Sequence, residues 1–306
     1  MIPKHIHDRF FKEAFSRSDV VADFIQAYLP SEFSQQVNPN TLTRLQDSYV
    51  DDDLSQYYVD LLFSVEYSGQ PITIALLLEH KSYPEEYPHF QLNQYQLNYW
   101  RDQLKEQQAL RPVVPIIIYH GQGKWKKRPP KDYFQAIDSL LSCFIPDFDY
   151  YLINLTEDTG KRFELLRSSY AKLTAGLLKT VRQKHRLTKM LDQLRQVIND
   201  LVEEQTGEQF VKTAFIYIHW ASKLTSTEII GIFRSISQKT ETTAMSAAET
   251  LIKQGMQQGM QQGEYQVTLK YIKGMLRLGM DAKTIANAFD LPLKTVELYI
   301  ATIKEK

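Results

Sequence analysis

Two runs of alternating apolar and polar residues, 58–67 and 72–81, constrain this chain more than any other feature. In the first, Val59, Leu61, Phe63 and Val65 share one face; Asp60, Leu62, Ser64 and Glu66 share the other. In the second, Ile72, Ile74, Leu76 and Leu78 oppose Thr73, Ala75, Leu77, Glu79 and Lys81. A period of two is that of a half-buried strand. Ser68-Gly69-Gln70-Pro71 between the runs has turn composition, so the pair predicts an antiparallel hairpin. Pro71 has no N–H to give a ladder and is assigned to the loop. That four-residue loop sets Tyr67 against Ile72 and, counting back, Asp60 against Glu79. Directly opposed residues have Cβ atoms about 5 Å apart. Two carboxylates and the ammonium of Lys81 then converge at one end of a sheet whose other face is apolar.

Carboxylates that close repel unless a cation lies between them, and hard oxygen donors suit Mg²⁺ or Mn²⁺. A cation held there polarises a phosphoryl oxygen and activates water. Lys81 would orient the nucleophile or stabilise charge on the phosphate. The same three residues would also make a surface salt-bridge cluster without chemistry, Lys81 pairing with Asp60 or Glu79.

The rest of the chain supplies a frame for that hairpin. Phe11, Phe15, Val20, Val21, Phe24, Ile25 and Tyr28 recur at helical spacing, which predicts one helix over 8–28 with Asp8 as N-cap and Pro30 as stop. A partial strand is expected near 41–46. A second helix over 88–108 carries Leu92, Tyr95, Tyr99 and Leu104 on one side. The run 113–119 reads as a buried strand ended by Gly121 and Gly123, 150–155 as a further strand, and 162–237 as helical almost throughout. This order predicts an α/β sandwich: a core at 1–160, a helical extension at 161–240, a Gln/Gly repeat at 241–263 and a small helical module at 264–306. The repeat, with Gly255, Gly259 and Gly263, is either a linker or a close-packing helix seam; each glycine weakens a helix by about 1 kcal/mol. Residues 281–300 have a helix–turn–helix pattern. Its second helix offers Lys294 and Glu297 but no arginine, so a packing module is expected rather than a reader of bases.

Composition narrows the function classes. With 306 residues and 43% hydrophobic, the chain can bury a core and is not disordered. Its single cysteine, Cys143, excludes a disulfide scaffold and suits a reducing compartment, the cytoplasm. The longest apolar run, 72–78, is too short for a membrane span, and charges through 1–15 leave no secretory leader in view. Lys+Arg and Asp+Glu both number 36, so any DNA contact must be a local basic patch. Lys124, Lys126, Lys127 and Arg128 surround Trp125, a composition that suits a phosphate backbone and an unstacked base; the other reading is a solvated loop. A second basic cluster comprises Arg182, Lys184, His185, Arg186 and Lys189. His7 reads as a helix-start residue and His120, before Gly121, as part of a turn.

Asp on one strand and Glu-x-Lys on the next resemble the PD-(D/E)xK nucleases. The segment 7–16 (His-Asp-Arg-Phe-Phe-Lys-Glu-Ala-Phe-Ser), Ala27-Tyr28-Leu29-Pro30, Val59-Asp60-Leu61-Leu62-Phe63, Leu78-Glu79-His80-Lys81-Ser82, 115–121 and the Gly/Gln repeat together resemble the Rpn family. These are the recombination-promoting nucleases, also described as YhgA-like transposases. The resemblance covers nearly the whole chain. It implies a restriction-endonuclease-like α/β core, with a central mixed sheet flanked by helices, and a metal-dependent DNA endonuclease promoting recombination. By motif match, Asp60, Glu79 and Lys81 are the catalytic positions and Asp60 and Glu79 the metal ligands. Related nucleases sometimes supply a further acid from the first helix, where Glu13 stands; a solvated helix residue is the other reading. Gln91 and Tyr95 resemble a Gln-xxx-Tyr pair that follows the lysine in some of these nucleases, though Tyr95 also suits a core. The alternative function is a non-catalytic DNA-binding or assembly protein on a degenerate nuclease fold, the tail acting in self-association; a homo-oligomer is left open.

Overall fold

The computed structural model describes residues 6–45, 61–79, 85–135, 137–158 and 160–304, with the backbone alone for 75–79, 258 and 304. The elements run α1 (Ile6–Phe15), α2 (Ser18–Tyr28), a short α3 (Ser31–Ser34), β1 (Val37–Arg44), β2 (Leu61–Tyr67), β3 (Gln70–Glu79), α4 (Pro88–Lys105), β4 (Val113–Tyr119), a short α5 (Ser139–Ser142) and β5 (Tyr151–Asn154). Helices follow: α6 (Ser169–Thr180), α7 (Lys184–Gln193), α8 (Arg195–Leu201), α9 (Gln205–Ala221), α10 (Ser226–Ile236), α11 (Gln238–Arg277), α12 (Ala282–Phe289) and α13 (Leu293–Lys304). The chain divides into two compact units, Met1–Ala247 and Ala248–Lys306.

In the first unit the described strands form one mixed sheet in the order β1-β2-β3-β4-β5. β1, β2 and β3 are antiparallel neighbours, while β3, β4 and β5 run parallel. A parallel pair needs a crossover, and α4 supplies it between β3 and β4.

The hairpin is tighter than its composition suggests. Ser68 and Gly69 both have positive φ, 50° and 76°, so they alone make the turn, with the backbone of a type I′ turn that matches strand twist. Tyr67 therefore pairs with Gln70 rather than Ile72, and Leu61 pairs with Leu76. Pro71 stands inside β3, opposite Glu66. It is tolerated because Tyr67–Gln70, next to the two-residue turn, is the hydrogen-bonded pair and the following pair, Glu66–Pro71, exchanges no ladder bonds, while β4 does not reach β3 until Thr73. The slip is two residues, so the faces are as expected: Leu61, Phe63, Val65 and Ile74 are buried together by parity.

Each face of the sheet has its own cover. Thr73 is fully buried and its hydroxyl donates to the Tyr99 Oη of α4 at 2.8 Å. Tyr99 packs with Val113, Leu62 and Trp100, while Leu92 of α4 packs with Ile117, Tyr119, Trp125 and Tyr150. Leu104, expected on this side, is exposed, and Gln96 and Gln103 are buried in its stead. Their amides are used: Gln96 donates to Val113 O, and Gln103 donates to Ala109 O while accepting from Arg111 N. Trp100 Nε1 donates to Arg111 O. These bonds fix where β4 enters the sheet. On the other face, Phe33 of α3 meets the rings of Tyr67 and Tyr151, and α2 packs on β1.

The single helix expected over 8–28 is broken at Ser16-Arg17. Nothing apolar occurs from Ser16 to Asp19, and Arg17 is extended, its guanidinium 3.5 Å from the Tyr170 ring. Asp8 lies inside α1 and is buried, not an N-cap. Helices α6 to α10 form a bundle against α1 and α2. Phe10 stacks on Tyr217 at 4.2 Å, and a Cβ at Gly207 would come within 2.0 Å of Leu201 O, so only glycine admits α9 this close to the end of α8.

The Gln/Gly repeat is helical, within α11, and a Cβ at Gly255, Gly259 or Gly263 would meet no heavy atom within 4 Å. The repeat is thus part of a continuous helix and not a packed seam among the described residues. In the second unit, Ile272, Ile285, Ala286 and Val296 bury a small core between the end of α11, α12 and α13.

The turn generates a stability test. Gly69→Ala places a Cβ at φ 76° and should lower stability by about 1 kcal/mol. A melting temperature unchanged by Gly69→Ala would contradict the turn, and with it the register.

Candidate active site at the carboxyl end of the parallel strands

β3 and β4 run side by side and end together, Glu79 opposite Tyr119. In open α/β sheets this carboxyl end is where ligands bind, because the loops that follow diverge there. Glu79 is the last residue of β3, at a position of the same parity as Thr73, whose side chain meets α4. Asp60 and Lys81 lie outside the described residues, as does the side chain of Glu79. The pairing that set Asp60 directly against Glu79 would require Leu61 against Leu78; the sheet sets Leu61 against Leu76. Glu79 is therefore three residues, about 10 Å of strand, beyond the partner of Leu61. Among the described residues no three His, Cys, Asp or Glu side chains are grouped to hold a metal ion.

The accessory residues are placed unequally. Glu13 is exposed on α1, whose buried side is Phe10, Phe11, Ala14 and Phe15. Gln91 and Tyr95 are half-buried one turn apart on α4, and Tyr95 packs against the cluster that holds Tyr119, the register partner of Glu79. Both readings of Tyr95, core and site, thus meet at one place.

After Tyr119 the chain turns back, and Tyr119 itself closes the turn: its hydroxyl accepts from Gly123 N at 3.0 Å and donates to Gly123 O. The basic run follows. Trp125, read as a surface for a base or as part of a solvated loop, is 7% exposed; its Nε1 donates to Tyr150 Oη at 3.0 Å and its ring meets Tyr119 edge-on. It is a core residue and offers no face to a base. Lys127 pairs with Asp149 at 2.6 Å and donates to Tyr150 O. Arg128 lies over the rings of Tyr133 and Tyr87, at 4.8 and 5.5 Å, and donates to Glu86 O. Lys124 and Lys126 are exposed and form no ion pair among the described residues. Burial raises the Tyr150 hydroxyl to about 12, so it remains a neutral donor and acceptor.

The structure also joins groups that the sequence left apart. His120, directly after Tyr119, is buried and borders a cavity of about 310 Å³ with Lys179, Arg182 and Arg186. Arg182 and Arg186 belong to the second basic cluster noted in the sequence; Lys184 is instead held by Glu228, at 2.5 Å. Burial and a 3.4 Å ion pair to Asp158 take Lys179 partly out of play. His89, Tyr87, Phe90 and Tyr133, on the α4 side of the same strand ends, had only the aromatic density of Tyr87-Pro88-His89-Phe90 to announce them.

His89 gives this region a pH signature. It is 3% exposed, its Nδ1 is 2.6 Å from Tyr133 Oη, and burial holds its pKa below the ordinary histidine value. Below about pH 6.5 the unfolded chain then binds a proton the folded chain resists, so stability is lost as pH falls through that range. His219, also lowered by burial, acts the same way. His89→Gln, which keeps a hydrogen-bonding group but does not titrate, should flatten the fall in melting temperature between about pH 7 and pH 5 without abolishing it. An undiminished slope would place the pH dependence elsewhere.

The comparisons with known proteins agree with this frame. Residues 5–209, more than half of the chain, match the family model described as "Putative transposase, YhgA-like". The chain is 25% identical over 308 residues to Recombination-promoting nuclease RpnC of Escherichia coli (strain K12), covering 97% of both proteins. It is 32% identical over 116 residues to Recombination-promoting nuclease RpnA of the same strain, covering 38% of this chain and 40% of the relative. It is 25% identical over 281 residues to Inactive recombination-promoting nuclease-like protein RpnE, also of that strain, covering 91% of this chain and 92% of the relative. No solved structure matches it. With the matched segment spanning the whole sheet and its flanking helices, the chain belongs to the YhgA-like family of Rpn proteins.

Proposed function

We propose that this protein is a metal-dependent DNA endonuclease of the PD-(D/E)xK type, acting in recombination. The observation that carries the reading is the placement of Glu79: the acid of Glu-x-Lys ends β3, beside the end of a parallel strand, while β2, which Asp60 immediately precedes, is the other neighbour of β3. The names of RpnC and RpnA support the nuclease role.

The donor set fits a hard divalent cation, since Asp60 and Glu79 supply carboxylate oxygens as ligands. Asp60 and Glu79 would hold the ion, which when bound neutralises charge on the scissile phosphate and makes water a better nucleophile. Lys81 is an ammonium and no metal ligand; it would orient the attacking water and offset the charge that develops on the phosphate. Tyr119 and Tyr95 form the apolar floor beneath this end of the sheet, and Tyr119 fixes the turn that follows β4.

A second reading has a specific motive. RpnE, named inactive, has the same 25% identity to this chain as RpnC, so identity does not separate an enzyme from a non-catalytic DNA-binding or assembly protein. What favours the enzyme is that Asp60, Glu79 and Lys81 are all present. Plasmid nicking with Mg²⁺, Mn²⁺ and EDTA decides. Asp60→Ala and Glu79→Ala should each reduce nicking by roughly a hundredfold or more while the melting temperature without metal holds or rises. Lys81→Ala should cut the rate comparably yet keep the melting shift that metal produces. Wild-type nicking by purified Asp60→Ala would make the nuclease site wrong.

A further inference from the structure

A cavity of about 580 Å³ opens beside the basic run, between the start of α4 and the segment after β4. That volume is in the range of small-molecule sites. Tyr87 and Tyr133 line it with three cations, Lys124, Lys126 and Arg128, and two carboxylates, Glu85 and Glu86, the latter 3.8 Å from Arg128. Tyr87 stacks on Phe90, with centroids 5.7 Å apart and planes 15° from parallel, and Tyr133 meets both rings edge-on. This platform is open to solvent: Phe90 is 60% exposed and Tyr87 39%. Large rings are usually buried, and their grouping at the surface marks a place where something stacks. The platform is also fixed in position. Arg128 lies over Tyr87 and Tyr133, and His89 anchors Tyr133 from the core side.

We propose that this cavity takes an unpaired nucleotide of a DNA strand, its base held against the Tyr87 ring of the wall, which Phe90 backs from outside the lining, and its phosphates drawn by Lys124 and Lys126. Aromatic platforms bordered by cations hold single strands, because every base has a π-face and the neighbouring phosphates are anionic. In a duplex those faces are hidden in the stack, so the site selects a strand that is frayed, gapped or opened. The location gives the selection a purpose. The ring of Trp125, in the cavity wall, is 5.1 Å from that of Tyr119, the register partner of Glu79. A nucleotide held here lies beside the proposed cleavage site, so the inference rests on the nuclease reading and refines its substrate to DNA with an unpaired nucleotide next to the cut.

The test is binding by the full chain in EDTA, where no cleavage occurs, read by fluorescence anisotropy. The probes are a blunt duplex and the same duplex with a single-stranded overhang. The overhang should tighten binding about tenfold, and Phe90→Ala and Tyr87→Ala should each erase most of that gain while leaving blunt-duplex affinity unchanged. Phe90 is exposed enough that its removal should leave the melting temperature in place. Lys124→Ala with Lys126→Ala should weaken both probes and flatten their salt dependence. Equal affinity for the two probes, or a preference that survives Phe90→Ala, would overturn the site while leaving the nuclease reading intact. Failure to bind either probe would overturn the site, while the nicking assay with Mg²⁺ decides the nuclease reading on its own. Displacement of the overhang probe by deoxyadenosine monophosphate as effectively as by single-stranded DNA would show a site for free nucleotides, overturning the assignment to a strand.

Discussion

Strand β3 is the member on which the rest of the structure depends. On one side a two-residue turn fixes its register against β2; on the other it begins the parallel half of the sheet against β4. A one-residue slip would exchange the strand's two faces, taking the buried Thr73 hydroxyl away from Tyr99 and setting Ile74 in its place. Its end, Glu79, is consequently set in space by the turn at Ser68-Gly69 and by the crossover through α4, although neither is near it in the chain. The chemistry proposed here needs two carboxylates from different segments to share one cation, and only a rigid sheet holds them to that tolerance.

The α4 layer translates that position into a surface. Its buried Gln96 and Gln103 satisfy the loop that leads into β4, and Thr73 and Tyr99 bond across the interface. Buried polar groups paired this way favour one arrangement, because any shift leaves them unpaired at a cost of about 1–3 kcal/mol each. The first turn of α4 then presents aromatic rings beside the ends of β3 and β4, and Arg128 joins them to the basic run. Three cations and open rings are thus gathered at one place, beside Glu85 and Glu86, in a chain whose formal net charge is zero.

Much of this was legible in the sequence. Period-two alternation gave the hairpin and its buried face, the run Val113–Tyr119 gave a buried strand, and the motifs gave the family. The α/β sheet with helical flanks followed from the order of those elements. The register differs because Pro71 has loop composition; one residue past the closing pair of a two-residue turn a proline loses no ladder bond, and that depends on which pair is hydrogen-bonded, not on composition. Trp125 was misread because an aromatic among lysines suggests a surface, while Tyr150, its partner, is distant in sequence. Gln103 in place of Leu104 shows the same limit: the helix turned toward backbone groups it could satisfy rather than toward the next apolar side chain. Cavity-forming groups such as His120 with Arg182, and Tyr87 with Arg128, come from separate segments, and no local pattern joins them.

The central claim is that one divalent cation binds at the carboxyl end of β3. The direct measurement is anomalous diffraction at the manganese edge from crystals of the full chain soaked in Mn²⁺. The account predicts a peak beside Glu79, within ligand distance of about 2.0–2.4 Å of its carboxylate and that of Asp60, lost in Glu79→Ala crystals. A manganese peak that lies elsewhere, or one that persists at the same place after Glu79→Ala, would contradict it.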